Sequence, residues 1–252
     1  MNVSYDFSGK HIAVTGASSG IGRSVAVFLS RCGARVSIIA RRQEQLDETI
    51  SLMSGGEHRA YSYDLSDTDG VEALVKKIVA NNGALSGLVY CAGIAPSRPL
   101  KMTKKKDIEQ AMTINFYSFV ELMRCISKKG NFSDNTSCVA ISSISSVVGY
   151  KGKISYCSSK AALDAAVRCM AQELADKKIR VNTIQPAWVD TGLYQGFIKN
   201  WGDNAATEGM VNREFLGITD PEEVAAMAAY LLSDAAKTIT GSAVRIDSGY
   251  LS

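Results

Sequence analysis

Short apolar runs alternate with stretches of helical periodicity from one end of this chain to the other, an order that few folds accommodate. The runs are "HIAVTG" (11–16), "ARVSIIA" (34–40), "HRAYSYD" (58–64), "LSGLVYCAG" (85–93), "SCVAIS" (137–142), "IRVNTIQ" (179–185) and "AVRID" (243–247). Apolar residues recur at helical spacing in 21–32, 67–81, 106–128, 156–177 and 221–233. Near-continuous apolar strands are covered on both faces, and strand–helix alternation joins them in parallel through crossover helices. Right-handed crossovers then lead to a doubly wound sheet. We therefore expect the α/β class, with residues 1–252 forming a single domain around one parallel sheet. The 252 residues, 46% of them hydrophobic, suit a core of that size. The alternation breaks once, at 192–217, where an insertion beside the carboxyl edge of the sheet is expected to form a substrate lid.

Composition removes several function classes. Net charge is only +3, and the one basic run is Lys104, Lys105 and Lys106, which gives nucleic acid or a membrane surface no footing. No run of 18 apolar residues is present. The opening "MNVSYDFSGK" lacks the pattern of a secretory signal, and the six cysteines are scattered singly, so a cytoplasmic protein with reduced thiols is expected. Only two histidines occur, His11 and His58, which argues against a Ser-His-Asp hydrolase or a His-rich metal site. No metal is expected.

The first strand runs into "TGASSGIG", Thr15 to Gly22. A Gly-rich turn between strand and helix suits a phosphate, because the backbone approaches closely and the helix N-terminus offers free N–H groups. The second strand ends "IIARR": Ala40 stands where an acid would bind a ribose hydroxyl, followed by Arg41 and Arg42. That pattern favours NADP(H) over NAD, since a guanidinium pairs with a 2′-phosphate. Asp64, closing the third strand, is placed either at the adenine edge or as a cap for the next helix.

"SYCSSK" opens a later helix and sets Tyr156 four residues before Lys160, on one helical face. An ammonium there favours the phenolate, although a surface Tyr packed on a Lys stem has the same spacing. Together "TGASSGIG", "YCAGI", the Asn of "MTINF", "ISSISS", "YCSSK" and "RVNTIQPAWVDT" occur in the order found in short-chain dehydrogenases/reductases, which the chain resembles from about residue 8 onward. The resemblance implies a Rossmann-like fold of seven strands in a homotetramer or homodimer. It implies Ser143 as the group orienting a substrate carbonyl, Tyr156 as the proton donor and Lys160 as the group that lowers the phenol's pKa and binds the nicotinamide ribose. It further implies that Asn115 holds a water linking Lys160 to solvent. The expected cofactor-lining set is Gly16, Ser18, Ser19, Gly20, Ile21, Gly22, Arg41, Arg42, Asp64, Leu65, Ala92, Gly93, Tyr156, Lys160, Pro186, Val189 and Thr191. Three positions depart from the family pattern: Cys91 for an Asn, Ala187 for a Gly after Pro186, and Ser248 for the first Gly of a "DGG".

The wording around the Tyr/Lys helix is most similar to bacterial 3-oxoacyl-[acyl-carrier-protein] reductases, which implies NADPH-dependent reduction of a 3-oxoacyl thioester in fatty acid biosynthesis. Lys128, Lys129, Lys177 and Lys178 would then form a dock for the acidic carrier protein beside the site entrance, or simply complement helix dipoles. Asp134 weakens the docking case. A reductase of a free ketone, sugar or steroid is the alternative, its lid offering Leu193, Tyr194, Phe197, Trp201 and Met210. A non-catalytic NADPH-sensing module is another, against which the presence of both Tyr156 and Lys160 counts.

Overall fold

The computed structural model describes residues 5–201 and 213–252. Seven strands form one parallel sheet: β1 (His11–Thr15), β2 (Arg35–Ala40), β3 (Arg59–Ser62), β4 (Leu85–Tyr90), β5 (Phe132–Ile141), β6 (Arg180–Pro186) and β7 (Ala243–Ile246), in the order β3-β2-β1-β4-β5-β6-β7. The chain winds outward from β1 to β3, then returns to place β4 against β1 and winds the other way. Ala13 of β1 consequently pairs with both Ser37 and Leu88. Where the order reverses, the connections diverge and leave a crevice beyond the carboxyl ends of the strands.

Side chains alternate across the sheet, so each strand feeds two cores. Ile12, Val14, Ile38, Val139 and Ile184 pack with α1 (Gly20–Arg31) and the helix Pro221–Leu232 through Val25, Leu29, Ala225 and Ala228. Ala13, Ile39, Leu88, Cys138 and Val181 face the other way. They meet Leu74 and Ile78 of α3 (Val71–Asn82), Phe119 and Leu122 of a helix at Ser118–Ile126, and Leu163 and Val167 of a helix at Ile154–Glu173. Among the described residues no helix is long and apolar enough to cross a membrane.

Three elements depart from the sequence reading. Gln43–Leu52 is a helix, α2, although it buries only Leu46 and Thr49 and so carries almost no apolar stripe. The single helix expected over 106–128 is instead α4 (Lys105–Met112), a π turn (Thr113–Tyr117) and α5 (Ser118–Ile126). The break at 192–217 begins with a helix, α7 (Gly192–Trp201), and of the five lid residues named Met210 lies outside the described residues. The Tyr/Lys helix, α6, starts at Ile154, and Pro221–Leu232 is α8.

The glycine turn is sterically closed. Gly16 has φ +66°, and a Cβ there would lie 2.8 Å from the Ala92 nitrogen; a Cβ on Gly22 would lie 2.3 Å from the Gly16 carbonyl oxygen. Gly22→Ala is expected to strain the loop by about 2 kcal/mol or more and to lower Tm by several degrees in thermal denaturation. Gly56→Ala, with open space around its Cβ, is expected to leave Tm unchanged.

Candidate active site

The carboxyl end of β5, the π turn ahead of α5 and the first turns of α6 bring four of the expected residues together. Beyond Ile141 the chain stays extended through Ser143, which heads a short turn at Ile144–Ser146 and accepts a hydrogen bond from the Ser145 N–H at 3.1 Å. The Ser143 hydroxyl also hydrogen-bonds the Tyr156 phenol. Tyr156 sits in the first turn of α6, and Lys160 one turn on places its Nζ 5.8 Å from the Tyr156 ring centroid. That Nζ donates to the Ile141 carbonyl at 2.7 Å, and Lys160 is 4% exposed.

Asn115 comes from the π turn, and its side chain makes three hydrogen bonds within the protein. Its Oδ1 accepts from the Ile94 N–H at 2.8 Å, while its Nδ2 donates to the Ile94 carbonyl at 2.9 Å and to Ser159 Oγ at 2.8 Å. Ser159 in turn donates to the Tyr156 carbonyl at 2.8 Å. The side chain therefore clamps the tail of β4 to the catalytic helix, and its Oδ1 keeps a second lone pair.

Electrostatics here run against the simple expectation for the Tyr/Lys pair. Burial pushes the Tyr156 phenol above its ordinary value, and the Ser143 hydrogen bond is the influence that opposes it. Burial pushes Lys160 down to about 8, opposed by the nearby charge of Asp164. Both groups are thus biased towards their neutral forms, because a desolvated charge is costly. The Lys160 ammonium is aimed at the Ile141 carbonyl.

The cleft beside these residues fits a dinucleotide. Gly16, Gly20 and Gly22 leave the backbone of residues 16–22 bare. The first turn of α1 holds no acidic residue, and Ser19 makes no side-chain cap, so the helix N–H groups stay free for an anion. Thr15 Oγ1 accepts from the N–H groups of Cys91 and Ala92, each at 3.1 Å, which brings Ala92 and Gly93 alongside the loop. Gly93 also lies against the triad: a Cβ there would be 3.2 Å from Asn115 Oδ1 and 3.6 Å from Lys160 Nζ. Across the crevice the Thr191 methyl approaches Gly20, with Val189 buried behind it and Pro186 ending β6. Arg41 and Arg42 are exposed at the end of β2. Asp64 does not cap a helix: it accepts from the Ser66 N–H at 3.0 Å, and Arg41 helps hold its carboxyl below the usual range. Leu65 is buried, its carbonyl 2.5 Å from Ser118 Oγ.

Two residues that sequence reasoning passed over hold the loop in shape. Thr49 of α2 donates to the Ala17 carbonyl at 2.8 Å, and Arg23 donates to the Ser18 carbonyl at 2.8 Å and to Thr49 Oγ1 at 3.1 Å. Neither belongs to a recognisable motif.

The lysine dock is misplaced within the chain. Lys128 and Lys129 follow α5 and lie at the start of β5; Lys177 and Lys178 follow α6 and lie at the start of β6. A strand of that length separates them from Ser143 by about 30 Å. Lys128 pairs with Glu72 at 2.7 Å, and Lys177 donates to the Ser127 carbonyl at 3.0 Å. Helix C-termini in a parallel α/β fold meet the sheet at its amino edge, which is why these lysines sit opposite the cleft. Near the cleft, the described end of the lid rests on the C-terminal segment. The Arg213 guanidinium lies 5.6 Å from the Tyr250 ring centroid, and Tyr250 meets Tyr150 edge-on. Buried Glu214 accepts from the Trp188 N–H at 2.8 Å.

A family model described as enoyl-(acyl carrier protein) reductase matches residues 16–251. Among curated relatives, the L-xylulose reductase of Caenorhabditis elegans is 32% identical, covering 99% of each chain. The D-erythrulose reductase of Gallus gallus is 33% identical, covering 100% of this chain and 99% of that one. The 3-oxoacyl-[acyl-carrier-protein] reductase of Thermotoga maritima is 30% identical, covering 96% and 97%. A solved structure described as a putative short-chain alcohol dehydrogenase from Sinorhizobium meliloti superposes with a TM-score of 0.92 at 30% identity, covering 99% of both chains. Thr49→Val, which leaves the Ala17 carbonyl without its buried donor, is expected to cost about 1–3 kcal/mol, read as a lower Tm, and to weaken dinucleotide binding in a fluorescence titration.

Proposed function

This chain belongs to the short-chain dehydrogenase/reductase family, an oxidoreductase acting on CH–OH groups and their ketones, and from that premise we propose that it uses NADPH to reduce a small free ketone of the ketose type. The observation that carries the catalytic part is the convergence of Ser143, Tyr156 and Lys160 beside Gly93. The cofactor preference rests on Arg41 and Arg42 with Ala40 in place of an acid. The ketose reading is supported by the sugar reductases among its relatives. Polar groups near the cleft, Tyr150, Tyr250 and Arg213, also suit a hydroxylated substrate.

Residues 16–22, with Ala92, Gly93 and Thr191 beside them, would hold a nicotinamide dinucleotide, which would supply the hydride. Tyr156 gives the proton from its Oη to the developing alkoxide, and its burial keeps that proton in place at neutral pH. Ser143 donates its hydroxyl to the same carbonyl oxygen and thereby orients it. As Tyr156 loses its proton, the Lys160 ammonium stabilises the phenolate. Asn115 keeps β4 and α6 in register so that these atoms meet. Assembly as a homotetramer or homodimer, through the small exposed residues Ala161 and Ala165 of α6, belongs to the same proposal.

Reduction of a 3-oxoacyl thioester is the second reading, favoured by the Thermotoga maritima relative. In it, an acyl carrier protein would reach the dock of Lys128, Lys129, Lys177 and Lys178 only if another copy of the chain brought those lysines beside the cleft.

The test is NADPH oxidation with four-carbon and five-carbon ketoses beside a short 3-oxoacyl thioester. Ketose turnover with an inert thioester is expected; the reverse pattern would transfer the protein to the second reading. Tyr156→Phe is expected to reduce kcat by about 10²–10⁴-fold. Arg41→Asp is expected to lower the NADPH-to-NADH ratio of kcat/KM by about tenfold or more, the loss of one charge-assisted contact. Reduction consumes a proton and needs a charged Lys160, so its rate is expected to fall as pH rises through about 8.

A further inference from the structure

Beneath Lys160 lies a buried carboxylate that none of these steps uses. Asp164 follows Lys160 by four residues on α6, so the two side chains share a face, and Asp164 is 6% exposed. Its Oδ2 accepts a hydrogen bond from Gln185 Nε2 at 2.7 Å, and the same amide donates to Ser146 Oγ at 2.8 Å. Ser146 closes the turn that Ser143 opens, and Gln185 precedes the last residue of β6. The other carboxylate oxygen, Oδ1, is buried with no hydrogen-bond partner among the described residues. A buried carboxylate left with one oxygen unmatched is costly unless a positive charge stands close by.

We propose that Asp164 is a positioning residue for the reaction. It is the buried counter-ion that keeps the Lys160 side chain an ammonium, and through Gln185 and Ser146 it ties the turn carrying Ser143 to the catalytic helix. The proposal rests on the reductase reading for its catalytic meaning; the burial of both side chains on one helical face and the Gln185 hydrogen bond to Asp164 are what the structure shows.

Lys160 is faced by Asp164 and Tyr156 from its own helix and by Cys91 from the end of β4, whose thiol burial pushes up to about 12, so it stays neutral near pH 7. Asp164 is faced by Lys160 and by the uncharged Gln185 and Ser146, while Arg168, one turn further along, is exposed. Asp164 is therefore the one buried anion holding the ammonium against desolvation among the described residues. Removing its charge lowers the pKa of Lys160, so the ammonium is lost at a lower pH.

The experiment compares the full wild-type chain with Asp164→Asn, which keeps an acceptor for Gln185. In ¹³C-lysine-labelled protein, the Lys160 resonance is assigned by its loss in Lys160→Arg and titrated with pH. Its midpoint is expected at lower pH in Asp164→Asn, and the basic limb of the kcat profile is expected to move the same way. kcat then falls by about fivefold at pH 8 and by much less at pH 6, as for a limb displaced by one pH unit. Asp164→Ser carries the same expectation should the Asn variant fold poorly. Ser146→Ala, which leaves the charge in place, is expected to lower kcat at every pH without moving the Lys160 midpoint. An unchanged midpoint in both Asp164 variants overturns the proposal, whatever happens to activity. If the wild type reduces no ketone tested, the reductase reading fails alone, and the resonance titration still decides the pairing.

Discussion

At the end of β1 the Thr15 hydroxyl accepts hydrogen bonds from two successive N–H groups, those of Cys91 and Ala92, and thereby determines where β4 stops being a strand. The glycine turn leaves β1 on one side of that seam, and the chain from Ala92 to Ile94 leaves β4 on the other. Asn115 then fastens Ile94 to the catalytic helix. Cofactor cleft and proton donors are thus positioned from one point, the place where the order of the parallel strands reverses.

Burial does more chemical work here than pairing does. Tyr156 and Lys160 stand one turn apart, yet both are driven towards neutrality by the low-dielectric wall formed by β4, β5 and α6. A phenol that keeps its proton is what a proton donor requires. A lysine poised near pH 8 responds to any charge that arrives, whether a phenolate forming above it or a carboxylate below. The site is therefore tuned by solvent exclusion first and by charge partners second.

The sheet, its parallel sense and the Tyr/Lys helix were legible in the sequence because each depends on a strong local period. Ile12, Val14 and Ala13 alternate as a buried strand must, and Tyr156 and Lys160 share a helical face by spacing alone. What was not legible depends on contacts between distant segments. α2 is polar almost all round, and it is a helix because Thr49 and Arg23 bind the glycine turn, which no window of its own sequence reveals. The lysines looked like one patch because they are alike in composition, whereas their edge of the sheet follows only from chain direction. Asn115 was picked out by resemblance, but its engagement with Ile94 and Ser159 needed three dimensions.

The π turn that carries Asn115 gives this region an unusual sensitivity to length. Its extra residue is accommodated because the Tyr90 hydroxyl donates to the Ile114 carbonyl and the Ser118 backbone N–H donates to the Thr113 carbonyl five residues back. Ahead of it Ala111 is buried, and behind it Phe119 and Leu122 are buried, each keyed to a different helical phase. Losing a single residue here would restore an ordinary helix and improve its local hydrogen bonding. It would also rotate everything on one side of the deletion by about a quarter turn, carrying Asn115 away from Ile94. In this stretch the number of residues is itself a constraint: a change of frame trades a better helix for a dismantled site.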